Sequence, residues 1–442
     1  GYNIQLIGQS EKDFGQKEIP QHFAIKPSCF HGVRPKLSIN EGDTVKAGTP
    51  LFFDKDNDRV IFTSPVSGTV TEIVRGEKRV ILEVKITADG KNEFENFKQA
   101  DPKDLSRDEI IENLLKSGVW PMIRQRPFAR IANPSDKPKA IYISAFDSSP
   151  LAADNNFIVE GQSEVFQKGI DVLKKLTDGK IHLNTHVDQE ISSVFAKAKD
   201  VELHQFKGPH PAGNVGIQIH HINPIDKGDV VWYCYPQDVL SIGRLFQEGK
   251  YNAERVINLC GSQAKEKKYY KTIIGASIEN IVKDNVEGDN NRFISGNVLT
   301  GTKISDTGYL GFYHSQLTVI PEGDYYEFIG WILPGFKKFS ASKTIVSSWL
   351  SPKKKHNLDT NMHGGERAFV VSGEYEKVMP IDIYPVHLLK AIMAEDIDKM
   401  ENLGIYEVAP EDFALCEVIC TSKINSQTIV QQGIDLMVKE LN

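Results

Sequence analysis

The chain has 442 residues, too many for a single hydrophobic core, and its 40% hydrophobic and 25% charged residues describe a globular protein of several domains rather than a fibre or a disordered tail. A formal net charge of -7 excludes a nucleic-acid binder working through a basic face and makes an anionic membrane surface a poor target for the chain as a whole. The cysteines Cys29, Cys234, Cys260, Cys416 and Cys420 are few and scattered, as in a reduced cytoplasmic protein. Apolar runs such as 328–333 are far shorter than the roughly 20 residues of a membrane-crossing helix. Gly1 is not followed by a basic and then apolar leader, so no signal peptide is expected.

From 26 to 86 the sequence is a series of short apolar runs broken by Gly, Pro, Asn and Asp, which predicts a small all-β unit. Within it, 40–51 and 64–70 read as two quasi-repeats, each with a glycine-bearing turn ahead of a β-branched strand residue. The pair resembles the biotinyl/lipoyl carrier fold, a barrel-like sandwich of two related halves. A carrier lysine is due near Asn57, where the tip reads Asp54-Lys55-Asp56-Asn57-Asp58-Arg59. Lys55 lacks the flanking apolar residues of a modification site, so a structural sandwich is expected there, without a covalent cofactor.

A charged linker, 91–108, leads into alternating strands and helices. Strands are expected at 139–145, 181–183, 201–203, 230–233 and 256–259, with helices carrying the stripes Phe166, Ile170, Leu173, Leu176 and Val239, Ile242, Leu245, Phe246. That alternation predicts a Rossmann-like domain with a parallel sheet covered on both faces. Beyond Cys260, strands at 270–274, 292–294 and 298–304 around a helix at 278–282 predict a small β-grasp module. Leu389, Ile392 or Met393, Ile397, Met400 and Leu403 form one helix stripe closed by Gly404. Pro410, Glu411 and Asp412 open another helix, and Ile429, Gly433, Leu436 and Met437 mark a third.

The densest polar cluster is 207–216 with Gln218, His220 and His221; it follows the 201–203 strand and precedes a helix, where open α/β sheets place ligands. It lacks G-x-G-x-x-G and the phosphate-loop pattern, so a packed prolyl-glycyl turn explains it equally. His204, His210, His220 and His221 match no zinc spacing, and bound metal is not expected. Cys416 and Cys420 share a helix face, but two thiols hold no cluster. The segment 118–129 gathers Trp120, Arg126 and Phe128, an apolar lining with a donor that suits a quinone headgroup; a proline-clamped domain joint has the same composition. No catalytic Ser-His-Asp set or carboxylate pair stands out.

Taken together, Gly118-Val119-Trp120-Pro121, Arg126-Pro127-Phe128, Ala145-Phe146-Asp147-Ser148-Ser149-Pro150-Leu151-Ala152, Gly208-Pro209-His210-Pro211-Ala212-Gly213-Asn214, Val231-Trp232 with Gln237-Asp238-Val239, Ala414-Leu415-Cys416 and Thr421-Ser422-Lys423 resemble the NqrA family, the A subunit of the Na+-translocating NADH:quinone reductase, over essentially the whole chain. That family is related to the C subunit of the Rnf complex and to the flavin subunit of respiratory complex I. The resemblance implies a barrel-sandwich domain (1–100), a Rossmann-like α/β domain (101–260), a β-grasp, SLBB-like domain (261–330) and a C-terminal helical domain (331–442). It implies a peripheral subunit on the cytoplasmic side of the inner membrane, held by membrane partners in a complex that oxidises NADH, reduces ubiquinone and exports sodium. The flavin loop of the complex I relative and the four-cysteine runs of the Rnf relative have no counterpart here, so neither FMN nor an iron–sulfur cluster is expected. Trp120, Arg126, Phe128, His210 and Asn214 are the candidate quinone-binding residues, with a purely structural scaffold as the alternative.

Overall fold

The structure is a computed structural model that describes residues 1–328, 338–341 and 354–441. Most of the apolar run 328–333, and the start of the expected helical domain at 331, lie outside the described residues. The amino-terminal part contains the strands β1 (His22–Ile25), β2 (Pro35–Leu37), β3 (Thr44–Val45), β4 (Pro50–Asp54), β5 (Ile61–Thr63), β6 (Gly68–Arg75) and β7 (Ile81–Ala88). They form a 4-stranded sheet ordered β1-β7-β6-β3 facing a 3-stranded sheet ordered β2-β4-β5. Phe52 and Phe62 stack at 4.6 Å within the core between the sheets, and the tip bearing Lys55 joins β4 to β5. Gly42 (φ 90) and Gly48 (φ 100) adopt the left-handed turns expected of the quasi-repeats. Gly68 differs: it is extended, and a Cβ there would stand 2.1 Å from the Thr87 carbonyl oxygen, so glycine allows close strand approach instead of a turn.

The segment read as a charged linker is a fixed strap. Its backbone bonds Ala47 of the sandwich through Glu93 and Glu95, and Gly249 and Phe246 of the next domain through Phe97 and Ala100. It runs straight into α1 (Arg107–Ser117), whose Ser106–Glu109 capping box satisfies the first amides.

The second domain holds a 6-stranded sheet ordered β12-β11-β10-β13-β8-β9. Its members are β8 (Arg124–Arg126), β9 (Arg130–Ile131), β10 (Ala140–Ser144), β11 (Lys180–His186), β12 (Glu202–Phe206) and β13 (Val231–Cys234). The β12-β11-β10-β13 portion is parallel, and β8 and β9 add an antiparallel edge. The helices are α2 (Asn155–Ile158), α3 (Ser163–Leu176), α4 (Ser193–Ala196), α5 (Val215–Ile222) and α6 (Pro236–Glu248). Strand alternation sends Ile141, Ile143 and Leu183 into the core shared with α3 and α6, while Tyr142, Val231 and Tyr233 pack with α5 on the other face. The run 256–259 does not join this sheet. It belongs to β14 (Glu254–Cys260), which pairs with β15 (Tyr269–Ile273) and β18 (Gln316–Pro321) in a third, 5-stranded sheet ordered β15-β14-β18-β16-β17. This sheet is completed by β16 (Asn291–Ser295) and β17 (Thr302–Ile304), with α7 (Glu279–Val282) between β15 and β16. The 298–304 strand is therefore shorter than expected, because 297–301 form a turn held by the Asn297 side chain.

In the tail, the stripe read as one helix divides into Pro385–Met393 and Ile397–Asn402. Glu395 takes a left-handed φ of 54, and the Asp396 carboxylate caps the second piece by accepting from the Lys399 amide. Pro410, Glu411 and Asp412 lie in a 3-10 turn, Pro410–Phe413, and the α-helix proper is Ala414–Ile419. The last helix, Ser426–Leu441, buries Val430, Ile434 and Met437 against Val386, Leu389 and Ile392.

Two histidines set a pH limit on this fold. Burial, and then neighbouring positive groups, lower His314 and His182 to about 4. The unfolded values lie near 6.5, so as pH falls the unfolded chain takes up these protons first. Their contribution to stability is full above about 6.5 and is lost between there and about 4. Denaturant unfolding across that window is expected to show a stability that rises with pH, and His314→Asn, which can keep the 2.8 Å bond from Nδ1 to Ser295 Oγ, should take up to one proton out of the slope.

Candidate functional site

The loops after the parallel strands meet at their carboxyl edge, and there a cavity of about 410 Å³ opens, lined among others by Asp147, Ser148 and Ser149 after β10, His186 at the end of β11 and Gly208 after β12. Ligands of open α/β sheets bind at this edge. The loop after β10 is self-supporting, since Asp147 Oδ1 accepts from the Ser149 amide at 2.7 Å. It is tied to the 207–216 loop because Ser148 Oγ accepts from the Gly213 amide at 2.7 Å and lies 3.1 Å from His210 Nδ1. His210 is only 4% exposed, and its Nε2 has no partner among the described residues. Burial lowers the affinity of this imidazole for a proton although Asp147 and Asp412 pull the other way, which favours the neutral ring.

Behind the cleft, the α/β domain is locked to the tail. The Arg126 side chain is wholly buried and donates from Nη2 to Glu411 Oε1 at 2.8 Å and from Nη1 to Asp412 Oδ2 at 3.2 Å. Asp412, equally buried, also accepts from the Ala409 amide at 2.9 Å and from Asn214 Nδ2 at 3.1 Å. Asn214 donates to the Glu411 carbonyl as well, at 3.2 Å. Gly216 makes the approach feasible: a Cβ would lie 2.9 Å from Asp412 Oδ2 and 3.1 Å from Arg126 Nη2. Phe128, with a left-handed φ of 78, sits in the tail's own core beside Tyr406.

Of the five candidate quinone residues, Arg126, Phe128 and Asn214 thus meet at one seam, and His210 stands on the same loop as Asn214 but turns to Ser148. Trp120 is elsewhere. It is fully buried, its Nε1 donates to the Ala132 carbonyl at 2.8 Å, and its ring meets Trp232 edge-on at 5.4 Å. None of the five lines the cavity wall. The remaining histidines of the polar cluster disperse. His220 pairs with Glu407 at 2.6 Å, His221 with the Pro380 carbonyl, and His204 with His182. Sequence reasoning missed Ser148 as a hinge of the cleft and missed Arg124, whose guanidinium lies over the rings of Tyr233, Tyr235 and Tyr313 at 4.7, 5.1 and 4.3 Å. The available signal was the alternation Arg124-Gln125-Arg126, which sets two cations on one face of a short strand, Arg126 buried and Arg124 half-buried.

These features define a multidomain α/β body with a barrel-sandwich amino-terminal domain, and no helix among the described residues is long and apolar enough to cross a membrane. Family models match in three consecutive stretches: the NqrA N-terminal barrel-sandwich hybrid domain over 1–89, the NqrA second alpha/beta domain over 105–251, and the NQRA C-terminal domain, an SLBB domain, over 256–306. The A subunit of the Na(+)-translocating NADH-quinone reductase of Yersinia pestis is 39% identical over 426 residues, covering 96% of this chain and 95% of the relative. Its counterparts in Pasteurella multocida and Haemophilus influenzae are 38% identical, each covering 100% of this chain and 98% of the relative. The chain belongs to the NqrA family, the A subunits of the Na+-translocating NADH-quinone reductase. Among solved structures, an air-oxidised NAD+-reducing [NiFe]-hydrogenase aligns with a TM-score of 0.41 and 10% identity, over 77% of this chain and 62% of that one, too weak a likeness to carry an argument.

Asp412→Ala leaves the fully buried Arg126 with Glu411 as its remaining charged partner and Asn214 with the Glu411 carbonyl, and is expected to lower the stability of the chain by about 2–4 kcal/mol in urea unfolding. An exposed pair such as Arg34–Asp56 serves as the control, whose loss should change stability by less than about 1 kcal/mol.

Proposed function

We propose that the chain is the peripheral component, on the cytoplasmic side of the membrane, at which the sodium-translocating complex seats its quinone headgroup. NADH and a proton convert a quinone to the quinol, NADH giving two electrons. In this reading the electrons arrive through partner subunits, since the chain lacks a flavin loop and cysteine runs, and partners in the membrane carry sodium. The supporting observation is the carboxyl-edge cleft with a buried imidazole beside it whose Nε2 has no partner among the described residues. A quinone carbonyl needs one or two donors, and the Ser148 hydroxyl, which lines the cleft and can accept from the Gly213 amide and from His210 Nδ1, is placed to donate its own proton, with His210 held behind it. Arg126 and Asn214 then act as positioning residues that hold the 207–216 loop, Phe128 anchors the tail, and Trp120 stiffens the base of the domain.

A second reading, a structural scaffold that binds no quinone, is favoured by the internal pairing of Arg126 and Asn214. Titration of the purified chain with a short-chain ubiquinone, followed by tryptophan fluorescence, separates the two. Saturable quenching weakened about 10-fold by Ser148→Ala or His210→Gln is expected, as for one lost hydrogen bond. Quenching that never saturates, or that both variants leave unchanged, supports the scaffold.

A further inference from the structure

A second group of polar side chains lies away from the cleft, toward the amino ends of the two outer strands of the parallel sheet. β11 and β12 pair so that His182 stands opposite Glu202. Residues two apart on a strand share a face, so His204 projects on the same side as Glu202. Three ligand-type groups therefore converge, although along the chain they form no zinc spacing. His182 Nδ1 is 2.9 Å from His204 Nε2 and 3.5 Å from Glu202 Oε2, and His204 Nε2 is 4.0 Å from that same oxygen. Ligand atoms held roughly 2.1 Å from a tetrahedral ion stand about 3.4 Å apart, so shifts of a few tenths of an ångström suffice.

We propose that His182, Glu202 and His204 form a binding site for one divalent transition-metal ion of the zinc type. Two imidazole nitrogens and one carboxylate are a borderline donor set that suits this class and disfavours magnesium or calcium. The outer contacts already orient the ligands: Lys180 holds Glu202 Oε1, leaving Oε2 toward the imidazoles, and Tyr142 stacks on His182 at 4.7 Å. The ion takes the place of the proton now shared between the two rings. Side-chain exposures of 8% for His182, 32% for His204 and 41% for Glu202 leave one side open to solvent, which provides an entry path and a fourth position for water. Bound there, the ion staples the edge strand β12 to β11, and a ligand in the carboxyl-edge cleft does not compete with it.

The test uses the full chain stripped with EDTA. Competition with a chromophoric chelator should show one Zn2+ per chain, and Zn2+ should raise the wild-type unfolding temperature. His204→Ala and Glu202→Gln should each weaken binding by about 100-fold or more, beyond the 10–100-fold typical of an outer-shell loss, while unfolding at the wild-type midpoint in EDTA. Should His204→Ala fail to fold, the half-exposed Glu202→Gln carries the same comparison. Co2+ should give visible absorption without a thiolate charge-transfer band. No stoichiometric Zn2+ uptake by the wild type, wild-type affinity in Glu202→Gln, or a thiolate band placing the ion on cysteine would each overturn the proposal.

Discussion

The buried pair between Arg126 and Asp412 is the constraint on which the rest of the architecture depends. Both side chains are fully removed from solvent, and a charge in that position is tolerable only when it is paired and hydrogen-bonded. Asp412 meets that demand with contacts from Arg126, Asn214 and Ala409, drawn from the antiparallel edge of the sheet, from the loop before α5 and from the tail itself. Segments 286 residues apart are thereby fixed in a single register. A hydrophobic contact of the same area would hold them together without specifying the register so narrowly.

The cleft inherits its shape from that seam. Asn214 is the N-cap position of α5, and four residues earlier the same loop delivers His210 to Ser148. The loop is held between the clamp behind it and the Ser148 hinge in front, with further bonds from Tyr2 to the His210 carbonyl, from Ser144 to the Gly213 carbonyl and from the His210 amide to Asn3. The residues that sequence inspection selects at 207–216 are thus divided between the cleft wall, at Gly208, and the clamp, at Asn214.

Much of the fold is legible in the sequence. The sandwich and the α/β domain announce themselves because short alternating runs and three- and four-residue stripes are driven by burial on one face. What escapes has local causes. Strand β18 is buried yet carries Gln316 and Thr318, which are satisfied by the Pro150 and Gly296 carbonyls and so break the apolar pattern. The break at Glu395 is concealed by a stripe that stays in phase across it. At the site, Glu411 and Asp412 read as acids placed for a helix dipole, since nothing near them in sequence hints at a guanidinium from residue 126. Trp120 has the composition of a binding aromatic but is consumed by the core. The His182, Glu202, His204 group is invisible along the chain because strand register, and not spacing, assembles it.

One ion pair thus governs both the tail and the cleft loop, and amide hydrogen exchange of an Asp412→Asn chain tests that directly. Loss of protection is expected together in the loop 207–214 and in the tail helices Pro385–Met393 and Ser426–Leu441. Faster exchange confined to the turn Pro410–Phe413, with the loop unchanged, would contradict it.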